Sequence, residues 1–140
     1  MKKEQSFWVA VLAGFVVLTA GDILIHQIWL KGLYQQLSQF WRPAEQMRAN
    51  TWLPFLSAFS LAFLLAHIYP KGVEGRSTLE QGLRFGVLMG LLLHLPSTLI
   101  KYYVYPFPNF LFAAWFVGGV VQVTIAGLAI ALAYGKSLKT

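Results

Sequence analysis

The chain has 140 residues, of which 57% are hydrophobic and 11% are charged, with a net charge of +6 and a mean hydropathy of +0.59. A soluble domain of this size needs a polar surface that this composition cannot supply, whereas a helical bundle in a bilayer leaves apolar side chains facing lipid. With no cysteine, disulfides and thiolate nucleophiles are excluded, and the basic residues are spread over the ends of apolar segments, which argues against nucleic acid as a partner.

Four apolar segments follow one another along the chain, at residues 7–30, 52–69, 83–105 and 110–134. Each has about the 20 residues that cross a hydrocarbon core of about 30 Å. Leu18 and Ala20 make a poor cleavage site, so the first segment is interpreted as a helix rather than as a signal peptide. We therefore predict an all-α, polytopic membrane protein in which residues 1–140 form one domain with four transmembrane helices.

The loop after the first segment has a pattern of its own. Apolar side chains recur there at helical spacing, at Leu33, Leu37, Phe40 and Trp41, and glutamines and a serine occupy the opposite face. This pattern predicts an amphipathic helix over residues 31–41 that lies in the membrane interface. The Arg-Pro pair that follows begins a new element. The loop is interpreted as a connector or, alternatively, as a lid over a site between the helix ends.

Small residues recur at every fourth position in the third segment, at Gly82, Gly86 and Gly90. Such a stripe lets two helix backbones approach closely in lipid, where van der Waals packing rather than the hydrophobic effect drives association. The stripe predicts a close helix contact, and the partner helix belongs either to the same chain or to a second copy.

Polar side chains within the apolar segments are the candidate site. Asp22 and His26 are four residues apart on one face of the first helix, His94 continues the glycine stripe, and Gln122 lies near the middle of the last segment. With a rise of 1.5 Å per residue, His94 and Gln122 lie at about mid-membrane, and Asp22, Lys101 and His26 lie about 6, 10 and 12 Å toward the first loop. A carboxylate at this depth costs roughly 2.5 to 3.5 kcal/mol, so it needs a partner or a function.

Three interpretations of this cluster are open. It is a structural cluster in which Asp22 pairs with Lys101 or a histidine and Gln122 bonds across helices. It is a site where Asp22, beside two histidines, exchanges a proton or binds a small ligand or ion. It is a partial metal site, which His67 cannot join because about 22 Å along the membrane normal separates it from His26. We predict no metal, no cofactor and no catalytic residue.

The basic residues beside the spans divide unequally between the two membrane faces. Seven lie on the side of the termini and four on the side of the first loop: Lys2, Lys3, Lys71, Arg76, Arg84, Lys136 and Lys139 against Lys31, Arg42, Arg48 and Lys101. Because basic residues are enriched in cytoplasmic loops, both termini are predicted to be cytoplasmic. We also predict that the protein forms a homo-oligomer or attaches to a larger membrane complex.

Short motifs along most of the chain carry a family resemblance. They are Leu-Ile-His at 24–26, Lys-Gly-Leu-Tyr at 31–34, Trp-Arg-Pro at 41–43 and Gly-Leu-Arg-Phe-Gly at 82–86. With these motifs the chain resembles a family of small bacterial four-helix integral membrane proteins. The resemblance implies this architecture and a bacterial inner membrane, and it assigns no activity. The chain is also similar to small multidrug exporters in having four helices and an acid in the first, although the residues around Asp22 do not match their motif.

Two functions follow from these observations. The leading hypothesis is a non-enzymatic accessory or ligand-binding membrane protein with a polar cluster inside the membrane. The alternative is a small proton-coupled transporter that uses Asp22. A binding protein needs a pocket near Asp22, whereas a transporter needs a polar path to both membrane faces.

The predicted topology can be tested by thiol labelling, because the chain has no native cysteine. A cysteine introduced at Ser38 should react with a membrane-impermeant reagent in intact cells, and one introduced at Ser77 should not. The reverse pattern would contradict the orientation, and labelling at both positions would contradict four spans.

Overall fold

The structure, a computed structural model, describes residues 3–135 and is all-α over them. In chain order the elements are α1 (Lys3–Asp22), a π-helical segment (Ile23–Trp29), α2 (Lys31–Gln36), a 3-10 turn (Ser38–Phe40), α3 (Ala44–Ala49), α4 (Trp52–Ile68), a second 3-10 turn (Tyr69–Gly72), α5 (Thr78–Val104) and α6 (Asn109–Tyr134). Four of these helices, including their continuations, are long and apolar enough to cross a membrane. The predicted four-span, all-α fold with a short helix between the first two spans is confirmed.

The observed elements differ from the predicted ones mainly at their polar ends. α5 begins at Thr78 rather than at residue 83, because Ser77 caps it by accepting a hydrogen bond from the Glu80 backbone N–H over 3.3 Å. In the first loop, α2 ends at Gln36, and α3 follows Pro43 as a separate helix. The spacing of apolar residues does not indicate where a helix with a polar first turn begins. It also does not separate α2 from the 3-10 turn that follows it. Lys2, Lys136 and Lys139, which enter the charge count, lie outside the described residues.

The four long helices form a row in the order α4, α1, α6, α5. α1 and α6 lie at the centre, α4 packs on α1, and α5 packs almost entirely on α6. We call the end that carries residues 30–51 and 105–108 the first-loop end, and the end that carries residues 73–77 the second-loop end. α1 and α5 therefore flank α6 and make almost no contact with each other.

The buried side chains form two clusters at different depths. The larger joins α1, α4 and α6 around residues such as Leu18, Ala62 and Ile130. The smaller lies at the first-loop end and contains Leu30, Phe107 and Leu111, with the rings of Trp41 and Trp115 packed against it. Because it combines residues of the first loop with the start of α6, this smaller cluster holds the loop against the helices.

The glycine stripe of α5 makes a close contact with the backbone of α6. A Cβ atom added to Gly86 would lie 2.6 Å from the Cα of Thr124, and one added to Gly127 would lie 2.6 Å from the Cα of Gly86. Gly90 approaches the Val120 carbonyl in the same way, with 3.0 Å to an added Cβ. The predicted close contact is therefore confirmed, and its partner is α6 of the same chain.

The ion pairs between described residues all lie at the second-loop end. Arg76 pairs with Glu74 at 3.0 Å and with Glu80 at 2.5 Å, and Arg84 lies 3.8 Å from Glu74. The hydrogen bond from Arg76, together with the charges of Arg84 and Arg76, lowers the pKa of Glu74. The Gln81 side chain donates to the Gly72 carbonyl over 2.8 Å and so ties this loop to α5.

Replacing Gly86 with alanine should destabilise the protein. The new methyl group cannot fit 2.6 Å from the Thr124 backbone, so α5 and α6 must separate, at a cost of about 1 to 3 kcal/mol. Thermal unfolding in detergent, followed by circular dichroism, measures the change. Gly32→Ala is the matched control, because an added Cβ there has no atom within 4 Å. Equal melting temperatures for the two variants would contradict the close contact.

Candidate functional site

A cavity of about 1110 Å³ lies at the first-loop end of the helix row. Its walls come from the end of α1, the π-helical segment, the first loop, α5 and α6, while α4 contributes no lining residue. The polar residues singled out from the sequence all line it: Asp22, His26, His94, Lys101 and Gln122. The structure thus brings together side chains that lie up to 100 residues apart.

The deep end of the cavity is organised by the Gln122 side chain. Its amide nitrogen donates to the Leu18 backbone carbonyl over 2.6 Å and to the Asp22 carboxylate over 2.9 Å. The predicted hydrogen bond from Gln122 across helices is therefore present. Gly21 makes room for it, because a Cβ there would lie 2.6 Å from Cγ of Gln122.

One of the three interpretations pairs Asp22 with Lys101 or a histidine. Asp22 forms no ion pair with any described residue, and its partner is the neutral amide of Gln122. The Lys101 ammonium lies 5.3 Å from the centre of the Trp115 ring. A cation over an aromatic face is attracted by the ring quadrupole, which gives Lys101 a partner other than the carboxylate.

His94 enters the cavity from α5 and rests on Gly119 of α6. A Cβ atom on Gly119 would overlap the imidazole ring, so glycine is needed for the ring to lie there. Both residues line the cavity. On α6, Gly119 lies about one helical turn from Gln122, which is bonded to Asp22. The position of His94 follows from the glycine stripe, since it continues the four-residue spacing of Gly86 and Gly90.

Tyr34 connects the first loop to the helices and was not identified from the sequence. Its hydroxyl accepts a hydrogen bond from the Trp115 indole N–H over 2.7 Å and lies 2.6 Å from Nδ1 of His26. Its backbone carbonyl accepts from the Trp41 indole N–H over 3.0 Å. Because an indole N–H can only donate, the Tyr34 hydroxyl is the acceptor in its bond with Trp115, whereas the direction of its bond with Nδ1 of His26 is set by the tautomer of the imidazole.

The environment of Tyr34 keeps its hydroxyl protonated. Burial raises the pKa of Tyr34, and the hydrogen bond from Trp115 partly opposes this rise. The neutral phenol therefore persists in the folded state at pH values where the unfolded chain begins to ionise. Its contribution to stability is complete below the ordinary pKa of tyrosine and is lost as the pH rises through the raised value.

The mouth of the cavity is basic. Lys31 and Arg42 line it beside Lys101, and these cations form no ion pair with a described carboxylate. The lining also includes Trp41 and Met47, which add aromatic and flexible apolar surface. The sequence did not indicate that Lys31 and Arg42 share a cavity with Lys101, because their position there depends on how the first loop folds back over the helices.

Two arrangements that are typical of catalysis, a group of metal ligands and a serine hydroxyl bonded to a histidine ring, are not found among the described residues. No group of three His, Cys, Asp or Glu side chains within residues 3–135 could hold a metal ion. His67 lies on α4, which contributes no cavity residue. Ser38 lines the cavity, but the hydrogen bonds found for the described part of the chain do not join it to a histidine.

Comparisons of the chain with protein-family models, with curated proteins and with solved structures found no match. The resemblance to a bacterial family therefore stays a prediction. The four long apolar helices alone indicate a small membrane protein with four spans.

Replacing Tyr34 with phenylalanine should loosen the first loop. The change removes the acceptor of Trp115 and the partner of His26, and the loss of a hydrogen bond at a half-buried donor costs about 0.5 to 1.5 kcal/mol. Hydrogen exchange of the α2 amides should become faster, and the tryptophan emission should shift. Tyr103→Phe is the control, since Tyr103 is 87% exposed and should leave both readouts unchanged. Unchanged exchange in Tyr34→Phe would contradict the role of Tyr34 as the connection.

Proposed function

We propose that this protein is a non-enzymatic, ligand-binding membrane protein whose ligand occupies the cavity at the first-loop end. The observation that carries the proposal is the cavity itself, about 1110 Å³ in volume, with a hydrogen-bonded carboxylate at its deep end and cations at its mouth. Concave, largely apolar sites with a few convergent polar groups are typical of small-molecule binding. Asp22 and Gln122 hold each other in place at the deep end, and His94, His26 and Lys101 supply the remaining polar contacts.

A one-sided cavity supports binding rather than transport. Its deepest lining residues on α1, α5 and α6 are Asp22, His94 and Gln122, and α6 continues for about 18 Å beyond Gln122. Along that stretch Gly127 contacts Gly86.

Aromatic rings add to this closure at the second-loop end. Tyr69 stacks on Tyr134 with 5.7 Å between ring centres and meets Phe85 at 5.2 Å. A second hollow of about 710 Å³ at that end shares no described residue with the cavity. A proton-coupled transporter that uses Asp22, the alternative function, would need a polar path through this packed half.

We further propose a bacterial inner membrane as the location, with the first-loop end facing the periplasm. The count of seven basic residues against four and the motif resemblance support this location. A ligand would then enter from the periplasmic side or from the adjacent leaflet. Assembly into a homo-oligomer or with a larger membrane complex is part of the same proposal, because many apolar side chains of α5 face outward.

The one-sided site can be tested by thiol access on the cysteine-free chain. Single cysteines replace Met47 at the mouth, His94 at depth and Ser77 in the second loop. In vesicles of defined orientation, an impermeant methanethiosulfonate should modify positions 47 and 94 only from the first-loop side. It should modify position 77 only from the other side.

Two results would contradict the proposal. Modification of position 94 from the same side as position 77 would reveal a path through the protein and favour the transporter. A cysteine at position 94 that reacts from neither side would show that the cavity is not open to a ligand. Circular dichroism of each variant confirms that the helices are intact.

A further inference from the structure

We propose that the ligand of this cavity is a single-chain anionic amphiphile of the bilayer, whose carboxylate or phosphate group binds at the mouth beside Lys101. This inference rests on the proposed binding function and names the ligand class. It is carried by the charges of the lining, by the apolar walls and by the gap between α1 and α5.

The charge balance of the lining favours an anion. Lys31, Arg42 and Lys101 present cations to the cavity, and the only carboxylate among its lining residues, Asp22, is held by Gln122. The cations form no ion pair among the described residues, whereas Arg76 and Arg84 at the second-loop end are paired with glutamates. An anionic group at the mouth would therefore provide the charge-assisted hydrogen bonds that these cations lack.

The position of Asp22 sets the orientation of such a ligand. Its carboxylate is at the deep end and repels a second anion, so the charged group stays at the mouth. Lys101 is the innermost of the three cations, because it belongs to the membrane-spanning helix α5, whereas Lys31 and Arg42 belong to the first loop. The ammonium over the Trp115 ring is therefore the central contact for the head group.

The walls and the flanking helices favour an apolar chain. Ile25, Trp41, Met47 and Trp115 line the cavity, whose volume of about 1110 Å³ lies above the range of roughly 300 to 1,000 Å³ usual for drug-sized ligands. α1 and α5 both pack on α6 but hardly on each other, so the space between them at bilayer depth is not filled by a helix of the described chain. A chain attached to the head group can leave the cavity there and enter the surrounding lipid.

Dodecanoate labelled with carbon-13 at its carboxyl is a suitable probe. The protein is placed in phosphatidylcholine nanodiscs, and the carboxyl resonance is followed by NMR at about pH 6, where desolvation keeps the carboxyl of a bilayer-dissolved acid largely protonated. Binding beside Lys101 should produce a separate resonance of the ionised carboxylate that saturates at one per protein. Unlabelled dodecanol, which has the chain without the charge, should not displace it.

Matched variants identify the cation. Lys101→Met should weaken dodecanoate binding about tenfold or more, as expected for the loss of a hydrogen bond to a charged group. Lys101→Arg should retain binding, and Lys71→Met, at the second-loop end, should leave it unchanged. Size-exclusion chromatography and circular dichroism establish that each variant is folded.

Several outcomes would overturn the inference. These are the absence of an ionised resonance with the unmodified chain, displacement by dodecanol as effective as by dodecanoate, and equal weakening by Lys71→Met. Displacement by butyrate at concentrations similar to those of dodecanoate would show that the site takes a water-soluble anion and not a bilayer amphiphile. The thiol-access experiment does not depend on ligand identity, so a failure of the ligand class is distinguishable from a failure of the proposed function.

Discussion

Direct backbone contact between α5 and α6 is the constraint on which the rest of the structure depends. In lipid, two helices gain little from burying apolar side chains, so they associate where small residues let their backbones meet. Gly86 and Gly127 provide that contact. Once the two helices are joined at this point, the four-residue spacing that continues from Gly86 through Gly90 places His94 on the face of α6 that carries Gly119. The cavity therefore begins where the glycine stripe of α5 reaches His94, because an imidazole ring takes the place of a glycine there.

The second requirement is that polar groups inside the membrane find partners. Gln122 meets this requirement for two other groups, since its amide nitrogen donates both to the Asp22 carboxylate and to the Leu18 carbonyl. These bonds also hold α1 against α6 at the level where the cavity begins. A polar contact that joins two helices thus also forms the deep end of the cavity.

Features with a local pattern could be predicted from the sequence. The four spans follow from runs of apolar residues, the α5 contact from the spacing of Gly82, Gly86 and Gly90, and the bond from Gln122 from the cost of an unpaired amide in lipid. The role of Tyr34 could not be predicted, because its bonds to His26 and Trp115 depend on how the loop folds back, and Trp115 lies 81 residues away. The basic mouth could not be predicted for the same reason. The bond between Gln122 and Asp22 could not be assigned either, because depth along a helix does not determine which side chain of another helix reaches the carboxylate.

The order of the helices in the row has a consequence for how the chain assembles. α1 and α4 contact each other directly, so they can pair as soon as both are in the membrane, whereas α5 packs almost entirely on α6. Since helices insert in the order of synthesis, the glycine face of α5 is exposed to lipid until α6 is inserted. α6 then has to enter between α1 and α5 and meet both at once. α6 therefore completes the packing of both α1 and α5. Until α6 is inserted, the exposed glycine stripe of α5 is the surface that a chaperone or a wrong partner would bind.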